Sequence, residues 1–179
     1  MRIIIISGSP GAGKTTVTQK LVENSEHEKV VNIHLDDFWQ FIRKGYIHPW
    51  LDGSGEQNET VIESVTASAE KFAAGGYEVF VEGAIGTWFI EPWLNLAKKG
   101  IDVRYIMLRP DKETIVSRVI NREQNKFFPL TAEVAKNLWE DFGVLDIYES
   151  HVINNSSQTI DETAAYIQGM LDEGKFALC

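Results

Sequence analysis

The chain has 179 residues, of which 44% are apolar and 24% are charged, and its formal net charge is −9. These values are typical of one globular domain, and they exclude a disordered or membrane-spanning protein. The acidic balance argues against a nucleic-acid partner, because binding to that polymer needs arrays of Lys and Arg.

A single domain over residues 1–179 is therefore expected. We place it in the cytoplasm, away from membranes, because no apolar run is long enough for a signal peptide. The lone Cys179 excludes an internal disulfide and a cysteine metal cluster. We expect the protein to act as a monomer or a homodimer.

The first predicted strand, Arg2 to Ser7, leads through the stretch GSPGAGKT into a helix. This stretch fits the phosphate-loop pattern G-x-x-x-x-G-K-[ST], in which glycines let backbone N–H groups face phosphate oxygens. Lys14 would add a charge for the β- and γ-phosphates, and the Thr15 hydroxyl would ligate Mg²⁺. The residues predicted to bind ATP here are Gly8, Ser9, Pro10, Gly11, Ala12, Gly13, Lys14, Thr15 and Thr16.

Two aspartates follow the second predicted strand, which runs from Val30 to Leu35. Asp37 together with Gln40 fits a helix cap and its capping-box partner. Asp36 falls at the carboxyl end of a strand, where parallel α/β sheets bind their ligands. We therefore predict that Asp36 accepts a proton from an attacking hydroxyl or helps to hold Mg²⁺; the alternative is a capping or turn role.

Residues 38–58 form an irregular, aromatic segment, predicted to be an insertion on the substrate side. Its composition fits a small-molecule pocket, and equally the packing of a short helix on the sheet. A helix over residues 59–74 and a strand over residues 77–81 then lead to Glu82. Glu82 is predicted to reach Mg²⁺ through water or to orient the nucleophile; the alternative is a surface carboxylate at a strand end.

A helix or helical pair over residues 88–99 and a strand over residues 102–108 precede a helix capped at Asp111. That helix carries Arg118 and Arg122 one turn apart. Like charges at this spacing repel each other, so an anion such as the triphosphate is expected to compensate them. The alternative is two solvated arginines, one of them paired with a nearby glutamate.

One long helix is predicted from Thr131 to Ser150, and a short strand follows at residues 151–153. Thr159 and Glu162 then form a capping box for a final helix that ends near Asp172. Five strands alternating with helices predict an α/β fold with a parallel sheet covered on both faces.

With these motifs, the chain resembles the small P-loop kinases of the nucleoside-monophosphate-kinase-like group, such as gluconate kinases, shikimate kinases and chloramphenicol phosphotransferases. The resemblance implies a P-loop NTPase three-layer sandwich whose five-stranded parallel sheet has the order 2-3-1-4-5. It also implies a mobile lid at about residues 118–130, with adenine held near Arg109 and near Asn154 in the loop after Ile153. Asp36 falls where such kinases place the carboxylate that activates the acceptor hydroxyl.

The Asp36–Asp37 pair also looks like that of bacteriophage polynucleotide kinase. An arginine that receives the substrate phosphate in that enzyme would fall at Trp39 here, so a polynucleotide acceptor is disfavoured.

The leading hypothesis is an ATP- and Mg²⁺-dependent kinase acting on a hydroxyl of a small molecule, such as a sugar acid, a metabolite or an antibiotic. Asp36 would be the base, Lys14, Arg118 and Arg122 would stabilise charge, and Thr15 and Glu82 would hold the metal. One alternative is a nucleotide-binding regulator or ATPase without an acceptor, although no N-K-x-D guanine signature occurs. Another is a kinase of nucleotides or of polynucleotide 5′ ends.

Overall fold

The computed structural model describes residues 2–121 and 131–179. Within these residues the strands are β1 (Arg2–Ser7), β2 (Val30–His34), β3 (Glu78–Gly83), β4 (Asp102–Leu108) and β5 (Val152–Ile153). The α-helices are α1 (Lys14–Asn24), α2 (Leu35–Gln40), α3 (Gly55–Ala74), α4 (Glu91–Lys98), α5 (Lys112–Asn121), α6 (Ala132–Asp141) and α7 (Ile160–Asp172). Two 3₁₀ helices cover Thr87–Phe89 and Asp146–His151. None of the helices described is both long and apolar enough to cross a bilayer.

All five strands are parallel, and their order in the sheet is β2-β3-β1-β4-β5, which confirms the predicted order 2-3-1-4-5. Strand β1 is central, with Ile5 opposite Val81 of β3 and Tyr105 of β4. The carboxyl ends of β1, β2 and β3 therefore lie side by side. This places the loop after β1, the start of α2 and the end of β3 at one edge of the sheet.

The strands are apolar on both faces, as a sheet covered by helices on both sides requires. In β1, Ile3 and Ile5 pack into the core that α3 and α4 cover, while Ile4 and Ile6 pack toward α1 and α7. All four isoleucines are fully buried. The sequence and the structure thus agree on a three-layer α/β sandwich.

The start of α2 differs from the prediction. His34, and not Asp37, is the N-cap residue, and its ring Nδ1 accepts a hydrogen bond from the backbone N–H of Asp36 at 3.1 Å. The helix therefore begins directly at the strand end, and both aspartates lie in its first turn, where negative charge suits the helix dipole. The predicted capping box of Asp37 and Gln40 is wrong because the helix starts three residues earlier.

The long helix predicted for residues 131–150 is also wrong. Helix α6 ends at Asp141, and the chain then turns through Gly143 into the 3₁₀ helix at Asp146–His151. A Cβ on Gly143 would lie 2.6 Å from the Arg109 guanidinium, so the turn depends on a residue without a side chain. The apolar spacing that suggested a continuous helix instead spans two elements.

Gly83, at the end of β3, leaves room for Leu35 at the start of α2. A Cβ on Gly83 would lie 2.4 Å from the Leu35 Cβ and 2.7 Å from its Cδ2. We expect Gly83→Ala to lower the free energy of unfolding by about 1–3 kcal/mol through overpacking. Chemical denaturation measures this change.

The matched control is Gly169→Ala in α7, because no atom lies within 4 Å of a Cβ built there. This variant is expected to raise the free energy of unfolding by about 0.5–1 kcal/mol, since alanine favours the helix. Equal stability of Gly83→Ala and the wild-type protein would contradict the tight contact with Leu35.

Candidate active site

The loop after β1 opens onto a cavity of about 720 Å³ at the carboxyl edge of the sheet. One end of this cavity is formed by the glycine-rich loop together with Lys14, Thr15 and Arg118. The rest of the cavity wall includes residues of α2, the segment around Trp50 and the end of β3. The structure thus joins the predicted nucleotide loop and the predicted carboxylates in one space.

The glycine-rich loop has the backbone that the motif predicts. Gly13 caps α1 in a left-handed conformation with φ of 93°, and Gly8 has φ of 141°. A Cβ on Gly8 would lie 2.3 Å from the carbonyl oxygen of Leu108 in β4, so no larger residue fits there. The loop therefore presents its N–H groups at the N-terminus of α1, where an anion is stabilised by the helix dipole.

Four described side chains donate to backbone carbonyls of this loop, and one of them is the Thr16 hydroxyl, which donates to the Gly13 carbonyl at 3.0 Å. Lys14 Nζ donates to the Ser9 carbonyl at 3.1 Å, and Arg118 Nη1 donates to the Gly11 carbonyl at 3.3 Å. Asn155, which is 4% exposed, donates from Nδ2 to the Ala12 carbonyl at 3.1 Å. Asn155 was missed by the sequence reasoning, because nothing in the Asn-Asn-Ser-Ser run distinguishes the residue that turns inward.

The two residues predicted to lie near adenine do not line this cavity. The Arg109 guanidinium lies 3.9 Å from the centroid of the Trp139 ring. Asn154 is exposed; its Nδ2 donates to Asp111 at 2.9 Å, and its Oδ1 accepts from Ser156. Contact of Arg109 and Asn154 with adenine stays a prediction.

The predicted lid, residues 118–130, is described only as far as Asn121. Arg122 and residues 122–130 lie outside the described residues, whereas Arg118 is described and borders the cavity. Of the predicted arginine pair, only Arg118 belongs to the described residues.

Asp36 lies on the cavity wall and is half-buried. Its backbone N–H is fixed by His34, and its carbonyl accepts a hydrogen bond from Gln40 Nε2 at 3.3 Å, so the side chain projects from an anchored first turn. Burial, with the nearby Asp36 carboxylate as a further contribution, raises the pKa of Tyr46 to about 12. Tyr46 therefore stays protonated next to this carboxylate.

Glu82 lines the cavity but is only 1% exposed. His34 Nε2 lies 3.6 Å from Glu82 Oε1, and the Thr15 hydroxyl interacts with the carboxylate too loosely for a hydrogen bond of normal geometry. Neither oxygen accepts such a bond from any described residue. Burial raises the pKa of Glu82, although His34, Thr15 and Lys14 all favour its ionised form.

This arrangement fits a Mg²⁺ site in which the protein supplies few ligands and the nucleotide phosphates supply others. A buried carboxylate without hydrogen-bond partners is costly, and a hydrated cation beside it would supply the missing donors. No group of three His, Cys, Asp or Glu side chains capable of holding a metal occurs within residues 2–121 and 131–179. Mg²⁺ commonly takes one or two protein ligands and completes its shell with phosphates and water, so Thr15 and Glu82 are a sufficient pair.

The raised pKa of Glu82 predicts a pH-dependent stability. The folded protein holds the Glu82 proton to a higher pH than the unfolded chain does. The contribution of Glu82 to the free energy of unfolding is therefore fully present below the ordinary glutamate pKa. It is lost as the pH rises through the raised folded-state pKa. We expect Glu82→Gln, without Mg²⁺ or nucleotide, to be more stable than the wild-type protein at pH 7–8.

Thermal unfolding of both proteins between pH 4 and pH 8 measures this difference, which should shrink toward acid pH. A difference that stays constant over the whole range would show that Glu82 titrates normally in the folded protein.

Part of the cavity wall outside the phosphate loop is aromatic. Its aromatic lining residues are Trp39, Trp50, Trp88, Phe89 and Phe142. Trp39 and Trp50 belong to the insertion of residues 38–58, whose composition fits a pocket or helix packing equally. Trp88, Phe89 and Phe142 are predicted to lie in helices, and nothing in their local pattern indicates that they converge.

Two polar side chains of α3 hold the segment that carries Trp50. Gln57 bonds both the N–H and the carbonyl of Ile47, at 2.9 Å and 2.7 Å. Asn58, which is buried, donates from Nδ2 to the Pro49 carbonyl at 2.8 Å. His48 stacks on Trp50 with ring centroids 4.8 Å apart. The aromatic wall is therefore fixed to α3.

Known proteins share this architecture. A family model described as an AAA domain, AAA_33, matches residues 3–144. The cytidylate kinase of Sulfurisphaera tokodaii is 24% identical over 179 aligned residues, which cover 95% of each chain. An unliganded sugar kinase from Janibacter sp. HTCC2649 superposes with a TM-score of 0.72 at 19% identity, over 96% of this chain and 95% of that one. The Deinococcus radiodurans tunicamycin resistance protein superposes with a TM-score of 0.65 at 15% identity, over 99% and 98%.

The likeness to the solved structures concerns the fold, and it agrees with the phosphate loop and the sheet order of this chain. The family model spans well over half of the residues. The chain therefore belongs to the AAA_33 family, with the fold of the P-loop kinase-like domains.

Proposed function

We propose that the protein is an ATP-dependent phosphotransferase that moves the γ-phosphoryl group to a hydroxyl of a small molecule. The observation that carries the proposal is the single cavity that joins the phosphate loop to the Asp36 carboxylate and continues into an aromatic chamber. A hydrolase or switch needs room for water alone, whereas this cavity has room for an organic acceptor.

On the donor side, the glycine-rich loop and the N-terminus of α1 bind the phosphates, and Lys14 neutralises the β- and γ-oxygens. Arg118 lies against the loop at Gly11. We assign to it the stabilisation of the negative charge that spreads onto the transferring phosphoryl group. Arg122 and the rest of the proposed lid, residues 118–130, would add to this charge from outside the described part of the chain. We further propose that Arg109 and Asn154 contact adenine.

On the acceptor side, Asp36 holds the acceptor hydroxyl in line with the γ-phosphorus. A bond forms between the acceptor oxygen and the γ-phosphorus while the bond from that phosphorus to the β–γ bridging oxygen breaks. The hydroxyl proton passes to the Asp36 carboxylate, and ADP leaves. The fixed first turn of α2 supplies the positioning that this chemistry requires.

Thr15 and Glu82 would hold Mg²⁺. The bound cation would neutralise phosphate charge, which is its usual contribution in phosphoryl transfer. The chain's own part is to keep Glu82 dry and close to Thr15 and Lys14.

A second candidate is transfer to a phosphate instead of a hydroxyl, because two relatives are named as cytidylate kinases. Such an acceptor would bring its own negative charge into the end of the cavity that contains Asp36. The two candidates therefore differ in the charge of the acceptor.

ADP release, measured with and without candidate acceptors, tests the proposal. The panel contains sugars, sugar acids, polyols, aminoglycosides, other hydroxylated antibiotics and nucleoside monophosphates, each with Mg-ATP. The proposal predicts ADP release that depends on a hydroxylated acceptor. Turnover that is independent of any acceptor would favour an ATPase or a regulator, and turnover with nucleoside monophosphates alone would favour the second candidate.

A further inference from the structure

We propose that the acceptor is a ring-bearing hydroxyl compound without negative charge, either neutral or cationic. This inference rests on the proposed function and deepens it, because it separates neutral and amino-bearing acceptors from sugar acids and nucleoside monophosphates. The distribution of charge along the cavity and the aromatic part of its lining carry it.

Within residues 2–121 and 131–179, the Lys and Arg side chains that line the cavity lie at the phosphate loop. Among the described residues that line the cavity, Lys14 and Arg118 are the Lys and Arg side chains, and both hydrogen-bond to carbonyls of the phosphate loop. An acceptor phosphate or carboxylate placed beyond the loop would have neither of these cations as a dedicated partner, because ATP needs both.

The acceptor end is acidic instead. Asp36 and Asp37 project from the first turn of α2, and both line the cavity. The remaining titratable group, His34, accepts the Asp36 N–H at Nδ1, and its Nε2 lies 3.6 Å from Glu82 Oε1. An anionic acceptor would meet like charge on this wall, whereas an ammonium group would meet opposite charge.

The aromatic side chains that line the cavity can pack against a ring of the acceptor. Trp88 and Phe142 meet edge-on with ring centroids 5.1 Å apart. Trp50 stacks on His48 and packs against Ile115, Val119 and Ala135, and Asn58 of α3 holds the preceding Pro49. Aromatic faces stabilise rings by stacking and cations by cation–π attraction, and they offer nothing to a carboxylate or phosphate. Both features of the chamber therefore select the same class of acceptor.

Three phenols that differ only in their terminal group test the inference: tyramine is cationic, tyrosol is neutral and 4-hydroxyphenylacetate is anionic. Their binding to the full chain is measured by titration calorimetry with Mg²⁺ and a non-hydrolysable ATP analogue. We expect tyramine and tyrosol to bind at least tenfold more tightly than 4-hydroxyphenylacetate. Equal or tighter binding of the anionic compound overturns the proposal, as does the absence of measurable binding by all three.

A charge variant makes the test specific. Asp37→Asn should reduce the preference for tyramine over 4-hydroxyphenylacetate at least threefold. Glu56→Gln, which removes a charge from the exposed start of α3, should leave the preference unchanged. An unchanged preference in Asp37→Asn would show that the acidic wall does not select the acceptor.

The binding measurement needs no turnover, so its result is independent of the proposed transfer. A preference for cationic and neutral phenols combined with acceptor-independent ADP release would refute the transfer and leave the charge selection standing. Efficient transfer to a hydroxyl of sugar acids would do the reverse. Transfer to the phosphate of nucleoside monophosphates would refute both proposals.

Discussion

Asp36→Asn is expected to bind ATP as the wild-type protein does and to transfer the phosphoryl group about 10²- to 10⁴-fold more slowly. The amide has the size of the carboxylate but cannot take the acceptor proton. The backbone contacts of Asp36 to His34 and Gln40 do not involve its side chain, so α2 should keep its start. Single-turnover kinetics with saturating Mg-ATP and acceptor measure the transfer, and nucleotide titration measures the binding.

The matched control for this variant is Asp52→Asn, which removes the same charge from an exposed turn in the same insertion. It should transfer at the wild-type rate. If Asp36→Asn also transfers at that rate, Asp36 is not the base and its role is confined to the helix start.

Lys14→Ala is expected to lower kcat/KM at least 10²-fold and to weaken ATP binding. The loss combines the point charge on the β- and γ-phosphates with the contact that Lys14 makes to the loop carbonyl of Ser9. Steady-state kinetics with the best acceptor of the panel measure the first effect. Titration with ATP measures the second.

Lys20→Ala on the same helix is the control, because Lys20 pairs with Asp161 on the surface and lies outside the cavity. Its kinetics should match those of the wild-type protein. A Lys14→Ala protein with unchanged kcat/KM would mean that the loop does not act as the donor site.

The parts of the structure that the sequence predicts are those in which local pattern decides the outcome. The strand at Arg2–Ser7, the glycine loop and the following helix are contiguous, and their motif requires backbone conformations that few residues adopt. The sheet order follows from the resemblance to P-loop kinases. The capping box of Thr159 and Glu162 is likewise local, and it is confirmed at the start of α7.

The remaining differences arise where distant residues decide the local structure. The turn after α6 places Gly143 against Arg109, which comes from the loop after β4, and the apolar spacing of the segment does not reveal this contact. His34 ends β2 and also caps α2. The sequence did not reveal this because Asp37 and Gln40 fit a capping box that would start the helix later. The convergence of Trp50, Trp88 and Phe142 on one chamber is tertiary, so spacing along the chain does not reveal it.

The central claim is that the γ-phosphoryl group leaves ATP for an organic hydroxyl. Its most direct test is incubation with Mg-ATP labelled with ¹⁸O in the γ-phosphoryl group, together with the acceptor panel, followed by mass spectrometry of the products. The account predicts a phosphorylated acceptor that retains three labelled oxygens, formed by the wild-type protein and lost in Asp36→Asn. Label recovered only in inorganic phosphate, at a rate that no acceptor changes, would contradict it.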